Sequence, residues 1–100
     1  MLILTVKILF FTSLREITGK KEEVLDLSIL DNPTVNKILG ILSKYYGKQF
    51  VEYVYDLKTC NVRGFLQFLI NGKSVSTLNG LNTKLSDGDI LAILPPVGGG

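Results

Sequence analysis

Pro95-Pro96-Val97-Gly98-Gly99-Gly100 closes the sequence with residue types that suit chemistry at a backbone carboxylate rather than at a side chain. Two prolines fix φ and hold an extended path as the chain leaves an apolar run. The glycines that follow carry no Cβ and adopt either sign of φ. A stiff stalk ending in bare backbone can thread a carboxylate into a narrow pocket of another protein. From Val97 to Gly100 the reach is about 13 Å when extended. The competing reading is a frayed glycine tail with no role.

Side-chain chemistry is largely excluded by composition. The 100 residues contain no histidine and one cysteine, Cys60. That removes histidine general bases, the triads built on them and most zinc sites, so no metal is expected. It also removes a disulfide framework, and a lone cysteine fits a reducing, cytoplasmic setting. The net charge of +2, with both signs interspersed, supplies no basic stripe for nucleic acid. No apolar run reaches membrane-spanning length, and the apolar opening has Lys7 inside it and no basic n-region, so it reads as a strand rather than a leader. Any catalysis must be supplied by a partner.

The elements that must position the tail fit one domain, residues 1–100, with the tail at 95–100. Residues 2–11 (LILTVKILFF) are apolar on both faces, as expected of a central strand. Residues 12–21 form a turn-rich connection with one helical turn stopped at Gly19. Residues 22–29 alternate, with Leu25, Leu27 and Ile29 on one face, and predict a hairpin partner for the first strand. Thr34 is an N-cap for a helix in which Val35, Ile38, Leu39 and Leu42 recur at helical spacing up to Gly47. Gly40 inside that helix predicts close packing there, and Tyr45 and Tyr46 read as edges of the core. Phe50, Val51, Val54 and Tyr55 either extend the helix or form another turn, followed by a loop from Asp56 to Gly64. Residues 65–70 (FLQFLI) form a strand, Asn71-Gly72 a type I′ turn, and Lys73–Val75 a short return strand. Leu78, Leu81 and Leu85 are single apolar anchors in a loop. Asp87-Gly88 is a second tight turn before the strand Asp89–Leu94. The order β-β-α-β-β-β, with apolar strands at both ends, predicts a parallel central pair. The fold class is therefore α+β: a ubiquitin-like β-grasp roll, its mixed sheet of four to five strands carrying one main helix on one face.

The stretch DGDILAILPPVGGG, Asp87 to Gly100, closely resembles the end of the small subunit of molybdopterin synthase (the MoaD family). Phe10-Phe11, Leu14-Arg15-Glu16, Gly19, Thr34-Val35 and Asn71-Gly72 extend the resemblance along the whole domain, although the segment Lys48–Gly64 is longer than is usual in that family. The resemblance implies a sulfur carrier. An E1-like adenylating enzyme would use ATP to activate the Gly100 carboxylate, and sulfur would replace AMP to leave a thiocarboxylate. The large subunit of molybdopterin synthase (MoaE-like) would accept the tail, with Gly98 and Gly99 threading behind Pro95, Pro96 and Val97. Sulfur would then pass to cyclic pyranopterin monophosphate in molybdenum or tungsten cofactor biosynthesis. The chain would bind no cofactor and would not be catalytic by itself. The broader superfamily implies two neighbouring functions. One is a ubiquitin-like modifier forming isopeptide conjugates; the other is sulfur delivery to thiamine or to tRNA. An inert interaction module is the reading if the tail does nothing.

Among single residues, a lone cysteine such as Cys60 usually reads as a small buried apolar group. Asp87 and Asp89 read as turn formers rather than a catalytic pair. Strands apolar on both faces, with one helix to cover them, leave a sheet face bare. Phe11, Leu91, Leu94 and Arg15 are the residues expected at a partner interface there, unless residues 48–64 fold across it.

Overall fold

The computed structural model describes residues 4–28 and 33–95. Five strands form one mixed sheet in the order β2-β1-β5-β3-β4. They are β1 (Thr5–Phe10), β2 (Glu22–Asp26), β3 (Gln67–Ile70), β4 (Lys73–Ser74) and β5 (Ile90–Leu94). β1 pairs antiparallel with β2 and parallel with β5, and β5 pairs antiparallel with β3. The first and last strands thus lie side by side in the middle of the sheet, in the β-grasp arrangement the element order predicts.

Three helices lie on one face: α1 (Ser13–Thr18), α2 (Val35–Tyr46) and α3 (Lys48–Val54). α1 ends at Gly19, whose φ of 74° is left-handed and whose N–H bonds back to the Arg15 carbonyl. Thr34 caps α2 by accepting from the Lys37 N–H at 3.3 Å. α2 buries Val35, Ile38, Leu39 and Leu42, the periodic set read from sequence. Residues 48–54 form a helix of their own because Gly47, at φ 80°, breaks the axis after α2. Phe50 and Val54 then enter the same core as Val6, Ile8, Phe10, Leu91 and Ile93. Asn71 and Gly72 both have positive φ, as a type I′ turn requires.

Polar residues fasten this frame at two points. Asp89 accepts from the Ser86 N–H and from the Asn71 Nδ2, each at 2.8 Å, while Asn71 Oδ1 accepts from the Ile90 N–H. The β3–β4 hairpin is thereby clamped to the start of β5, and both aspartates of the Asp-Gly-Asp turn are structural: Asp87 accepts from the Thr5 N–H at 2.8 Å. The second point is Glu23, which faces the helices from β2. It accepts from the Tyr46 hydroxyl at 2.5 Å and from Lys20 at 3.1 Å. The bond from Tyr46, helped by Lys20, holds its carboxyl below the ordinary value against the cost of desolvation. Burial and the facing carboxylate push the Tyr46 phenol up.

Several sequence expectations are corrected. A Cβ built on Gly40 meets nothing within 4 Å, so this glycine answers to no close packing inside the chain. Cys60 is exposed, with φ 63°, because it sits in the loop after α3 rather than on a core-facing element. Tyr45 and Leu78 are exposed at 68% and 45%, so neither anchors the core, whereas Leu85 does and Leu81 packs against it. Ile29 lies outside the described residues.

Two outcomes are expected. Gly40→Ala stabilises the domain by about 1 kcal/mol, read as a higher melting temperature, because helix propensity improves with no clash. Tyr46→Phe destabilises it by roughly 1–2 kcal/mol at neutral pH, by loss of a charge-assisted bond. Glu23 titrates below its ordinary value of 4.5 in the folded chain, so its contribution is full above that pH and fades as pH falls through the folded value. The gap between wild type and Tyr46→Phe therefore narrows in acid, measured by thermal melts across pH 3–7.

Candidate functional site

Strand periodicity splits the sheet into two unlike faces. Val6, Ile8 and Phe10 of β1, Leu91 and Ile93 of β5, and Phe68 and Ile70 of β3 point to the helices and are buried. The alternate residues form the other face: Lys7 and Leu9 pair with Ile90 and Ala92, Val24 with Lys7, Leu69 with Ala92, and Gln67 with Leu94. Ile90 is 39% and Val24 54% exposed, while Leu9, Leu69, Ala92 and Leu94 are half-buried. None of these apolar side chains packs against the core, and α3 buries Phe50 and Val54 on the helical side. Residues 48–64 therefore leave this face open. Lys7 Nζ lies 3.5 Å from Glu22 Oε2 at its β2 border, and a shallow depression of about 250 Å³ runs from Val24 to the Asp87–Asp89 turn. Lys7 stands between Val24 and Ile90 on this face, and an apolar surface interrupted and bordered by charge is a usual build of a protein-docking surface.

The tail leaves from this strip. β5 runs parallel to β1, so Leu94 and the half-buried Pro95 emerge at the same end as Phe10 and Phe11. There the Arg15 Nε donates to the Phe10 carbonyl at 2.9 Å, and its guanidinium carbon stands 5.5 Å from the centre of the Phe11 ring. Backbone bond and ring hold the cation at the base of the stalk, where it can meet a carboxylate or phosphate presented by a partner.

Of the residues expected at the interface, Phe11, Arg15 and Leu94 come together at this end. Leu91 does not. It is 0% exposed and belongs to the core, because β5 alternates and Leu91 shares its face with Ile93 rather than with Leu94. Pro96, Val97, Gly98, Gly99 and Gly100 lie outside the described residues. Leu9, Val24, Leu69, Ile90 and Ala92 belong to the strip and escape a reading by hydrophobicity alone. The signal that finds them is the period of two, applied to β1 and β5 in register.

Residues 8–100 match the family model described as the ThiS family. The chain belongs to the ThiS family of ubiquitin-like sulfur carriers and protein modifiers. It is 33% identical over 91 residues to small archaeal modifier protein 3 of Haloferax volcanii, spanning 91% of this chain and 94% of that one. The solution structure of small archaeal modifier protein 1 from Methanosarcina acetivorans superimposes with a TM-score of 0.76 at 35% identity, covering 98% of each chain. A chain of the Amycolatopsis orientalis BexX/CysO complex superimposes at 0.71 with 27% identity, over 95% of this chain and 99% of that one. The ThiS-family member thus has the ubiquitin-like β-grasp fold. Beside these modifier proteins, a putative sulfur carrier protein of Archaeoglobus fulgidus is 31% identical over 67 residues, 67% of this chain and 74% of that one.

Leu94→Asp is expected to keep its fold, by circular dichroism, and to weaken partner binding by at least about tenfold, through an unpaired carboxylate at an apolar interface. Leu91→Ala should instead cost about 2–5 kcal/mol of stability, as buried leucines do. Normal partner affinity for folded Leu94→Asp would mean that the tail alone holds the partner.

Proposed function

We propose that this chain is a ubiquitin-like protein modifier. An E1-like enzyme adenylates the Gly100 carboxylate with ATP, releasing pyrophosphate. The amine of a target lysine then attacks the acyl carbon, AMP leaves, and an isopeptide bond remains. A carboxylate is fully ionised at neutral pH and resists attack, so activation must come first. The observation that carries this reading is the near full-length likeness to two small archaeal modifier proteins, at 33% and 35% identity. The open strip offers the activating enzyme a surface beside the stalk, and Arg15 a fixed cation at its base.

A second reading is favoured by Pro95-Pro96-Val97, the signature shared with the molybdopterin synthase small subunit. A persulfide sulfur would attack the same adenylate, and a thiol would cleave the resulting acyl disulfide to leave a thiocarboxylate. The large subunit of that synthase would be the acceptor's host.

The two readings part in mass spectrometry of protein from its own host. Conjugates about 11 kDa heavier than their targets are expected for a modifier. The last basic residue before the tail is Lys84, so trypsin leaves the sixteen residues Leu85–Gly100 on each modified lysine. A free chain heavier by about 16 Da, sulfur in place of oxygen, marks the carrier instead, and absence of lysine remnants would overturn the modifier reading. Deleting Gly100 should abolish either product while shifting stability by less than about 0.5 kcal/mol. Gly99→Val should fold and fail alike, since a β-branched side chain stiffens and widens the threading segment.

A further inference from the structure

The sequence holds two Asn-Gly steps, Asn71-Gly72 and Asn79-Gly80, and the fold treats them differently. Asparagine is a labile residue, and glycine after it brings no Cβ to bar the following amide nitrogen from the asparagine side chain. That nitrogen, after losing its proton to water or hydroxide, adds to Cγ. The Cγ–Nδ2 bond breaks, ammonia leaves with a proton from solvent, and a succinimide ring remains. Water then opens the ring at either carbonyl to give aspartate or isoaspartate. One water is consumed and one ammonia released, with no oxidant or reductant.

Asn79 lies between two single-turn 3₁₀ helices, Val75–Thr77 and Gly80–Asn82, and is exposed. Among the described residues nothing bonds to its side-chain amide or to the Gly80 N–H. The peptide unit that must turn between the two residues makes one hydrogen bond, accepted by the Asn79 carbonyl from the Asn82 N–H at 3.1 Å. The bonds made by Thr83 lie on the units either side of it. A single bond in a surface 3₁₀ turn opens readily. Asn71 is exposed too, so exposure does not separate the two sites. Its side chain is tied at both ends. Nδ2 donates to Asp89 Oδ1 at 2.8 Å and Oδ1 accepts from the Ile90 N–H at 3.0 Å, while its own N–H donates to the Ile90 carbonyl at 2.9 Å. Two side-chain bonds must break before Cγ can turn toward the Gly72 nitrogen.

We propose that Asn79 is a site of spontaneous deamidation, and that the bonds from Asn71 to Asp89 and Ile90 shield the same dipeptide at the β3–β4 turn. The shielding matters because a carboxylate formed at 71 would stand against Asp89, like charge on like, where the amide now donates. The hairpin would then lose its clamp on the start of β5, the strand that carries the stalk. Isoaspartate at 79 lengthens the main chain by one methylene and breaks the bond from Asn82, at a corner that contributes no residue to the strip or the stalk. The chain thus ages first where its sheet is least affected.

The test ages the full chain in mildly alkaline buffer and follows both sites by peptide mapping. Trypsin cuts after Arg63, Lys73 and Lys84, so Asn71 travels on Gly64–Lys73 and Asn79 on Ser74–Lys84. Fragmentation assigns the mass gained as amide becomes acid to Asn79 rather than to Asn82. Asn79 is expected to convert at least about tenfold faster than Asn71, the population effect of the bonds that must open at 71. In guanidinium chloride, where the fold is gone, the two rates should agree within about threefold. Asp89→Ala, confirmed as folded by circular dichroism, should raise the Asn71 rate by about fivefold or more and leave that of Asn79 unchanged. Equal rates in the folded wild-type chain, no measurable conversion of folded Asn79, or a gap that survives unfolding would each overturn the proposal. So would an Asn71 rate that stays at the wild-type value in folded Asp89→Ala.

Discussion

The parallel pairing of β1 with β5 is the constraint on which the rest of the structure depends. Lys7 to Phe10 lie in register with Ile90 to Ile93, and this contact joins the two ends of the chain in the middle of the sheet. Being central, both strands need apolar residues on both faces. Being parallel, they end on the same side, so the stalk at Pro95 rises beside Phe11 and Arg15 instead of at a sheet edge. The turn that delivers β5 to its place is locked to β1 by the Asp87 carboxylate and to β3 by Asp89 and Asn71. The two aspartates of the Asp-Gly-Asp turn, read from the sequence as turn formers, hold this alignment.

From that pairing follows a division of labour between the faces. All three helices stack on one side, where they close a core around Phe10, Phe50 and Ile93. On the other side none of the described helices covers the apolar residues, and Lys7 pairs with Glu22 there. In the function proposed above, the apolar strip beside the stalk is where an activating enzyme would dock.

Much of this was legible in the residues because local and global signals agree. Thr34, Gly19 and Asn71-Gly72 each need a specific cap or turn, and each occupies it. The periodic apolar set of α2 is buried in full. What escaped depends on direction rather than on composition. Leu91 and Leu94 are the same residue type three positions apart, and only the pleat says that one is core and the other surface. Cys60 and Gly40 were misread for a related reason: burial frequencies describe a residue type, whereas a loop position and an empty Cβ site are properties of a place. Residues 48–54 resisted because Gly47 ends one helix and starts another within a single residue, a break that periodicity blurs.

The central pairing also has a consequence in time. During synthesis β1 emerges first, with Leu9 on one face and Ile8 on the other, and its partner Ile90 follows some 80 residues later. At translation rates of about 5–20 residues per second, that delay is roughly 4–16 s. Through that interval only β2 can shield one edge of β1, and the other edge is an open template for any strand that passes. A nascent chain of this design depends on its surroundings, or on the helices collapsing early over Val6, Ile8 and Phe10, to stay unaggregated. Cells that translate it slowly should feel that dependence most.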